Sequence, residues 1–201
     1  MKIMGSFTSP FVRRVRVVAI EKGLRDQIEF VETDPFSDQA DFLAANPLSK
    51  VPVLLGSSIG TLYDSRVIAE YLNSLATTPA LLPQSGNERW NCLKLQALAE
   101  GVMDAAAASV MEARRSDGMI SSHWQQRRAA AMRRGAGALQ SAVAGEELPL
   151  NLGGIAAATA LAYLDFRHPE VAWRDTNPSL ATATDRFCER PSMLATQPPS
   201  A

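Results

Sequence analysis

The chain has 201 residues, 46% of them apolar, with 20 basic against 21 acidic side chains. That is enough apolar chain for one large core or two small ones, and it leaves no overall basic excess to steer the molecule to nucleic acid or anionic lipid. No segment reaches the ~18 apolar residues of a membrane span, and the N-terminus has neither an apolar h-region nor a small-residue cleavage site, so a soluble cytoplasmic protein with a small-molecule or protein partner is expected.

Cys92 and Cys188 are the only cysteines and form no CxxC pair; both suit small buried apolar positions. His123 and His168 are the only histidines, and no Cys/His/Asp/Glu cluster has ligand spacing, so no metal site is expected.

In chain order, Lys2 to Gly5 reads as a strand. A helix follows from Pro10 to about Lys22, with Ser9 as cap, Phe11, Val15 and Val18 on one face, and Gly23 as the stop. Ile28 to Glu32 reads as a second strand, and QADFLAA as a short helix closed by Asn46-Pro47. KVPVLL is a β-rich run containing Pro52; Gly56 and Gly60 then bracket a turn before the returning strand TLY. Asp64-Ser65 caps a third helix, RVIAEYLNSL. The order β-α-β-α-β-β-α occupies residues 1–76.

Residues 77–87 (TTPALLPQSGN) have the proline and glycine content of a linker, and 88–201 read as helix after helix. A long helix is expected from Glu88 to Arg115 and a second from Ser122 to Ala144, the latter weakened by Gly135 and Gly137. Ile155, Thr159, Ala162 and Phe166 mark a nearly all-apolar helix that ends at His168-Pro169. Pro178 to Arg190 makes a last helix, and QPPSA a frayed tail.

Three places could hold one small peptide. Pro52 lacks a ladder N–H, which puts it at a strand start or on an edge; a cis Val51-Pro52 bond would turn the Val51 backbone outward for a mini-strand, whereas a plain edge proline needs no ligand. Asp64 and Ser65 cap a helix, but a helix N-terminus also seats a carboxylate and Asp64 could hold an ammonium, which together suit an amino-acid head group. Lys50 could meet a second carboxylate or simply be solvated. Ser9 before Pro10 is an ordinary cap, and it is also a hydroxyl at the positive end of a helix, where a thiol with an ordinary pKa of about 8.5 would be held as thiolate. No His or acid lies near Ser9 in sequence, which argues against a Ser-His-Asp nucleophile.

In this order the motifs resemble the glutathione transferase superfamily over nearly the whole chain, and most closely its small bacterial YibF-like members. SPFVRRVRV resembles the active-site helix start, NPLSKVPVL the cis-proline strand and YDSRVIAEYL the helix that seats the γ-glutamyl group. ALAEGVMDAA, ATALAYLDFR and RPSMLATQP resemble parts of the helical domain. The resemblance implies an α/β thioredoxin-like domain followed by an all-α domain, with glutathione as co-substrate and no metal. It also implies a homodimer engaged in detoxification, with no nucleic-acid or membrane partner.

By the same resemblance Ser9 would stabilise the thiolate, since the position holds serine in zeta-like members and cysteine in omega-like and beta-like ones. Val51, ahead of Pro52, would pair with the cysteinyl backbone; Asp64 and Ser65 would take the γ-glutamyl end, and Lys50 the glycyl carboxylate. A hydrophobic electrophile would bind between the domains near Phe11, Met103, Met111 and Arg114, although a methionine stripe also suits core or subunit contact.

The alternatives are a transferase-fold protein that binds or regulates without conjugating, and a glutathione-dependent isomerase. One departure stands out. The family's central helix usually opens with a Ser/Thr-x-x-Asp capping box, and here Asn151 is followed by Gly153 and Gly154. Half the reciprocal cap is missing, so a weak helix start is expected, and Gly154→Asp is expected to raise the melting temperature.

Overall fold

The computed structural model describes residues 1–199 apart from 38, 117 and 144. Its first part runs β1 (Lys2–Gly5), α1 (Pro10–Glu21), β2 (Glu29–Glu32), α2 (Ala40–Ala45), β3 (Val53–Ser57), β4 (Gly60–Leu62) and α3 (Ser65–Ser74). The sheet order is β2-β1-β3-β4. β1 and β2 pair in parallel, which requires the α1 crossover; β3 runs antiparallel to β1, and β4 returns along β3 as a hairpin. Gly56 and Gly60 take positive φ at the two ends of that turn, where a side chain would be strained.

Helix α1 starts with Ser9 as cap and Pro10 in its first turn, and Gly23 follows its end at φ 67°. Val12, Val15, Val17 and Val18 are fully buried with Ile3, Val53 and Leu54. Phe11, expected on that face, is only half-buried, and Val12 takes its place. Arg13 and Arg14 are buried on the same helix, which its alternation of apolar and basic residues does not suggest. Pro52 is buried, cis to Val51, and directly precedes β3. β3 is therefore an interior strand; of the two placements the proline allows, the strand start is the one adopted, where no ladder bond is lost.

The remaining helices are α4 (Gly86–Ala113), α5 (Ser122–Ala142), α6 (Leu152–Arg167), α7 (Trp173–Thr176), α8 (Pro178–Cys188) and α9 (Pro191–Leu194). Helix α5 stops at Ala142; the expected end at Ala144, like Ser200 and Ala201 of the expected tail, lies outside the described residues. Helix α6 is the central one, with every residue from Leu152 to Leu161 buried, and Thr159 satisfies its buried hydroxyl by donating to the Ile155 carbonyl at 2.7 Å. The His168 ring at its end lies 2.9 Å from the Ala106 carbonyl of α4 and 3.1 Å from Glu170. Cys92 is buried on α4, and burial pushes its thiol pKa up, as befits an inert packing residue.

The chain divides into two compact units, Met1–Leu82 with the residues from Arg190 onward, and Pro83–Glu189. The sequence reading runs the helical part on to the C-terminus, whereas polar anchors tie its last stretch to α1. Arg190 donates twice to Glu21 at 2.8 and 2.9 Å, Ser192 donates to the same carboxylate at 2.5 Å, and Arg13 reaches the Met193 carbonyl at 3.2 Å. Lys22 similarly fastens the start of the expected linker. Its buried ammonium donates to the carbonyls of Ala76 (2.5 Å) and Pro79 (2.6 Å) and to Asn73 Oδ1 (3.3 Å).

The start of α6 overturns the capping-box expectation. Asn151 caps the helix by accepting from the Gly154 N–H at 2.9 Å. A Cβ on Gly154 would lie 1.9 Å from the Pro149 carbonyl oxygen, and one on Gly153 2.6 Å from the Cys92 carbonyl. These glycines are required by close backbone approach, and an aspartate at 154 cannot enter without moving the chain. Gly154→Asp and Gly154→Ala should therefore lower stability by about 1–3 kcal/mol or more. Gly101→Ala, at an exposed position of α4 with no atom near its would-be Cβ, should raise it by about 1 kcal/mol. Chemical denaturation of the three variants checks both signs.

The Glu21 anchor also titrates. The Arg190 hydrogen bond, aided by Ser192 and opposed by burial, holds the Glu21 carboxyl below the usual carboxylate range. A carboxyl whose folded pKa is depressed adds stability that is present above its unfolded pKa of about 4.3 and is lost as pH falls through the folded value. The stability difference between the natural chain and Glu21→Gln should thus be largest near neutrality and shrink below about pH 4. Denaturation of both across that range measures it.

Candidate active site

The antiparallel ladder pairs Lys2 with Leu55, Ile3 with Leu54 and Met4 with Val53. Continued past the last pair, the same register sets Pro52 across from Gly5 and Val51 across from Ser6. On the other side of β3, Leu62 of β4 pairs with Leu54, and two residues later Asp64 opens α3. The end of β1 that leads into Ser9, the start of β3 after Val51-Pro52, and the end of β4 before Asp64-Ser65 therefore meet at one end of the sheet. Helices α1 and α3 both start there, directing two positive helix ends and their free N–H groups to the same place.

Ser9 is half-buried and has β-region backbone, and its Oγ accepts from the Val12 N–H at 3.4 Å. The cap uses a lone pair of the hydroxyl and leaves its hydrogen to be donated elsewhere. Thr8 is placed differently. Its hydroxyl lies 3.1 Å from Ser6 Oγ, and the Thr8 N–H donates to the same Ser6 oxygen at 3.4 Å, so the two side chains engage one another.

Val51 is half-buried and lies outside the β1–β3 and β3–β4 ladders, so no strand of this sheet takes its N–H or carbonyl. Lys50 is exposed, and its carbonyl is held by Asn46 Nδ2 at 2.7 Å; Asn46 in turn accepts from the Leu48 N–H at 3.0 Å. Asp64 is exposed and caps α3 by accepting from the Arg66 N–H at 3.0 Å through one carboxylate oxygen. Ser65 beside it is buried, and the Tyr63-Asp64 peptide bond is cis.

This geometry offers a hydroxyl donor at one helix start, an open backbone edge in the middle, and a carboxylate with helix N–H groups at a second helix start. Residues 8–75 match the family model described as glutathione S-transferase, N-terminal domain. Over its full length the chain is 35% identical to the GST-like protein YibF of Escherichia coli (strain K12), with 100% of each chain covered.

The chain belongs to the glutathione transferase family.

Its structure is similar to that of a glutathione transferase family member from Pseudomonas fluorescens Pf-5 with bound glutathione, at TM-score 0.94 and 36% identity over 99% of each chain. It is also similar to a family member from the same organism with bound S-(propanoic acid)-glutathione, at TM-score 0.88 and 34% identity over 100% of each chain. The thioredoxin-like sheet with its helices and the helical part that follows are thus those of a glutathione transferase. Among the described residues, no group of three or more His, Cys, Asp and Glu is placed to hold a metal ion, and no helix is long and apolar enough to cross a membrane.

The residues expected to face an electrophile are less uniform. Phe11 is half-buried, one residue past the Ser9-Pro10 start of α1. On α4 the methionine stripe divides: Met103 is fully buried in the helical core, whereas Met111 is 37% exposed and Arg114 follows it, also exposed. Sequence reasoning missed Gly5. A Cβ there would lie 2.6 Å from Val12 Cγ2, so the bare glycine lets the first turn of α1 settle against the end of β1. A glycine closing a strand four residues before a cap is a readable sign of such an approach.

Gly5→Ala should destabilise the first unit by about 1–3 kcal/mol and displace Ser9. In a double-mutant cycle with Val12→Ala, the two losses should add to less than their sum, because the second substitution removes the collision. Thermal and chemical denaturation of the four proteins measures the coupling.

Proposed function

We propose that this chain binds glutathione at the sheet end where Ser9, Val51-Pro52 and Asp64-Ser65 meet, and joins its thiolate sulfur to a small hydrophobic electrophile. The observation that carries the reading is the Ser9 hydroxyl, which caps α1 with a lone pair while keeping its hydrogen to donate. A sulfur anion there gains from that hydrogen bond and from the positive end of α1, so the thiolate is favoured near neutral pH.

In this reading the Val51 N–H and carbonyl pair with the cysteinyl backbone as a short added strand. Asp64 takes the γ-glutamyl ammonium with the carboxylate oxygen not used by the cap, and the α3 N-terminus at Ser65 takes the α-carboxylate. Lys50 meets the glycyl carboxylate. The thiolate then attacks the electrophile: the sulfur–carbon bond forms, and the electron pair leaves with the departing group or is taken up with a proton at the neighbouring carbon. Of the residues expected to meet the acceptor, Phe11, Met111 and Arg114 keep that role in this reading, and Met103, fully buried, does not.

The S-(propanoic acid)-glutathione held by the Pseudomonas protein is a thioether with a short carboxylate arm. A short carboxylate-bearing acceptor is accordingly the first to test beside purely apolar ones. A cytoplasmic homodimer acting in detoxification is the setting this reading adopts.

Ser9→Ala should keep glutathione affinity within about threefold, raise the pKa of the bound thiol toward its free value of about 8.5, and slow conjugation about 10-fold or more. Calorimetry, thiolate absorbance against pH and turnover with a chromogenic acceptor provide the three readouts. Unchanged turnover would move the role to another donor. Loss of glutathione binding in the natural chain would leave a transferase-fold protein with some other ligand.

A further inference from the structure

The balanced charge of the whole chain conceals a local imbalance. Between 114 and 143 there are six arginines and one acidic residue, Asp117, which lies outside the described residues. Helix α5 itself contains no Asp or Glu. Glu112, near the end of α4, is taken up: it accepts from the Ser121 N–H at 2.9 Å and pairs with Arg128 at 3.4 Å, with only 11% of its side chain exposed. It fastens the α4–α5 connection, and the exposed side chains Arg127 and Arg134 of α5 have no acid on their own helix.

That same end carries apolar side chains in solvent. Met119 is 59% exposed, Trp124 50% exposed, and Ile120 next to Met119 is exposed too. Trp124 sits in the first turn of α5 with the guanidinium carbons of Arg127 and Arg128 at 5.9 and 5.8 Å from its ring and the His123 ring edge-on at 5.8 Å. At 100° per residue, Arg127, Arg134 and Ala138 share one exposed stripe that starts beside Trp124 in the first turn, while Met132, Gly135, Ala136 and Leu139 face the core. The result is an apolar tip continued by a basic, acid-free helix face.

We propose that this surface docks on an anionic lipid bilayer, with Met119, Ile120 and Trp124 entering the headgroup layer and Arg127 and Arg134 lying over lipid phosphates. Two features favour lipid over other anionic partners. A tryptophan beside flexible apolar side chains and flanked by arginines is the composition that partitions to a membrane interface. The apolar residues are clustered at a loop tip and not spaced along a groove, as base stacking on a single strand requires. Each arginine over an anionic surface strengthens binding about fivefold, and the attraction is screened by salt.

The test uses the full chain with vesicles of phosphatidylcholine alone or mixed with about an equal part of phosphatidylglycerol. Co-sedimentation should occur with the anionic vesicles only, weaken at about 0.5 M salt, and be accompanied by a blue shift of tryptophan emission that Trp124→Ala removes. Arg127→Gln/Arg134→Gln should weaken binding about 20-fold, and Met119→Ser/Ile120→Ser at least 10-fold, with circular-dichroism melting curves unchanged in both. No preference for anionic vesicles would overturn the proposal. So would binding to anionic vesicles that a short single-stranded DNA displaces and that Met119→Ser/Ile120→Ser leaves intact, which would make the face a site for nucleic acid. Dissociation of a dimer of the natural chain by Met119→Ser/Ile120→Ser in analytical ultracentrifugation would overturn it too, because the tip would then be an interface between copies.

Discussion

The site depends on one contact, the close approach of Val12 to the bare backbone of Gly5. The register of β1 on β3, whose last pair is Met4 with Val53, brings the start of β3 to the end of β1, and the Gly5–Val12 approach decides where α1 begins relative to that end. Because Val12 is also the residue whose N–H Ser9 caps, packing and capping fix the same hydroxyl. A methyl group added at Gly5 would move the helix start and the donor together. The chemistry proposed for Ser9 is thus inherited from a packing constraint between a residue four positions before it and one three positions after it.

Glycine does the same elsewhere, and there the sequence misleads. Propensity reads Gly135, Gly153 and Gly154 as weak points in helices. In the structure each lies where a side chain would collide: at Gly135 with Val102 Cγ2 at 2.4 Å, at Gly153 with a backbone carbonyl of α4, and at Gly154 with the carbonyl of Pro149. The loss of helix propensity is offset by backbone approach that a Cβ would prevent. Gly101 and Gly137, with no such close neighbour, remain ordinary propensity losses.

What was legible followed from short-range rules. Ser9-Pro10, Asp64-Ser65 and Gly23 are local signals, and the helix boundaries they imply agree with the structure to within one residue. Pro52 could be confined to a strand start or an edge because a missing N–H has few tolerable positions. What was not legible depends on partners distant in sequence. Nothing near Arg190 or Ser192 announces Glu21, so the C-terminal stretch read as a continuation of the helical part. The burial of Arg13 and Arg14, and the division of the methionine stripe into a core residue and a surface one, are set by which neighbours each face of a helix meets. Periodicity gives the face, not what lies against it.

The two readings offered for Ser9, helix cap or thiol partner, compete only if a hydroxyl is treated as a single group. Its oxygen accepts from Val12 along one lone pair, and that bond draws density from the O–H and makes its hydrogen a better donor. The cap therefore strengthens the donor that a thiolate would use, and it holds the rotamer so that less freedom is lost when the sulfur arrives. Thr8 differs in its partner: its hydroxyl shares a hydrogen bond with Ser6 Oγ in which either oxygen can be the donor, and it does not close the helix. What separates the two hydroxyls is the anchor: Ser9 Oγ is held against the first turn of α1 and Thr8 Oγ1 against Ser6, so the role proposed for Ser9 rests on its place at the helix start.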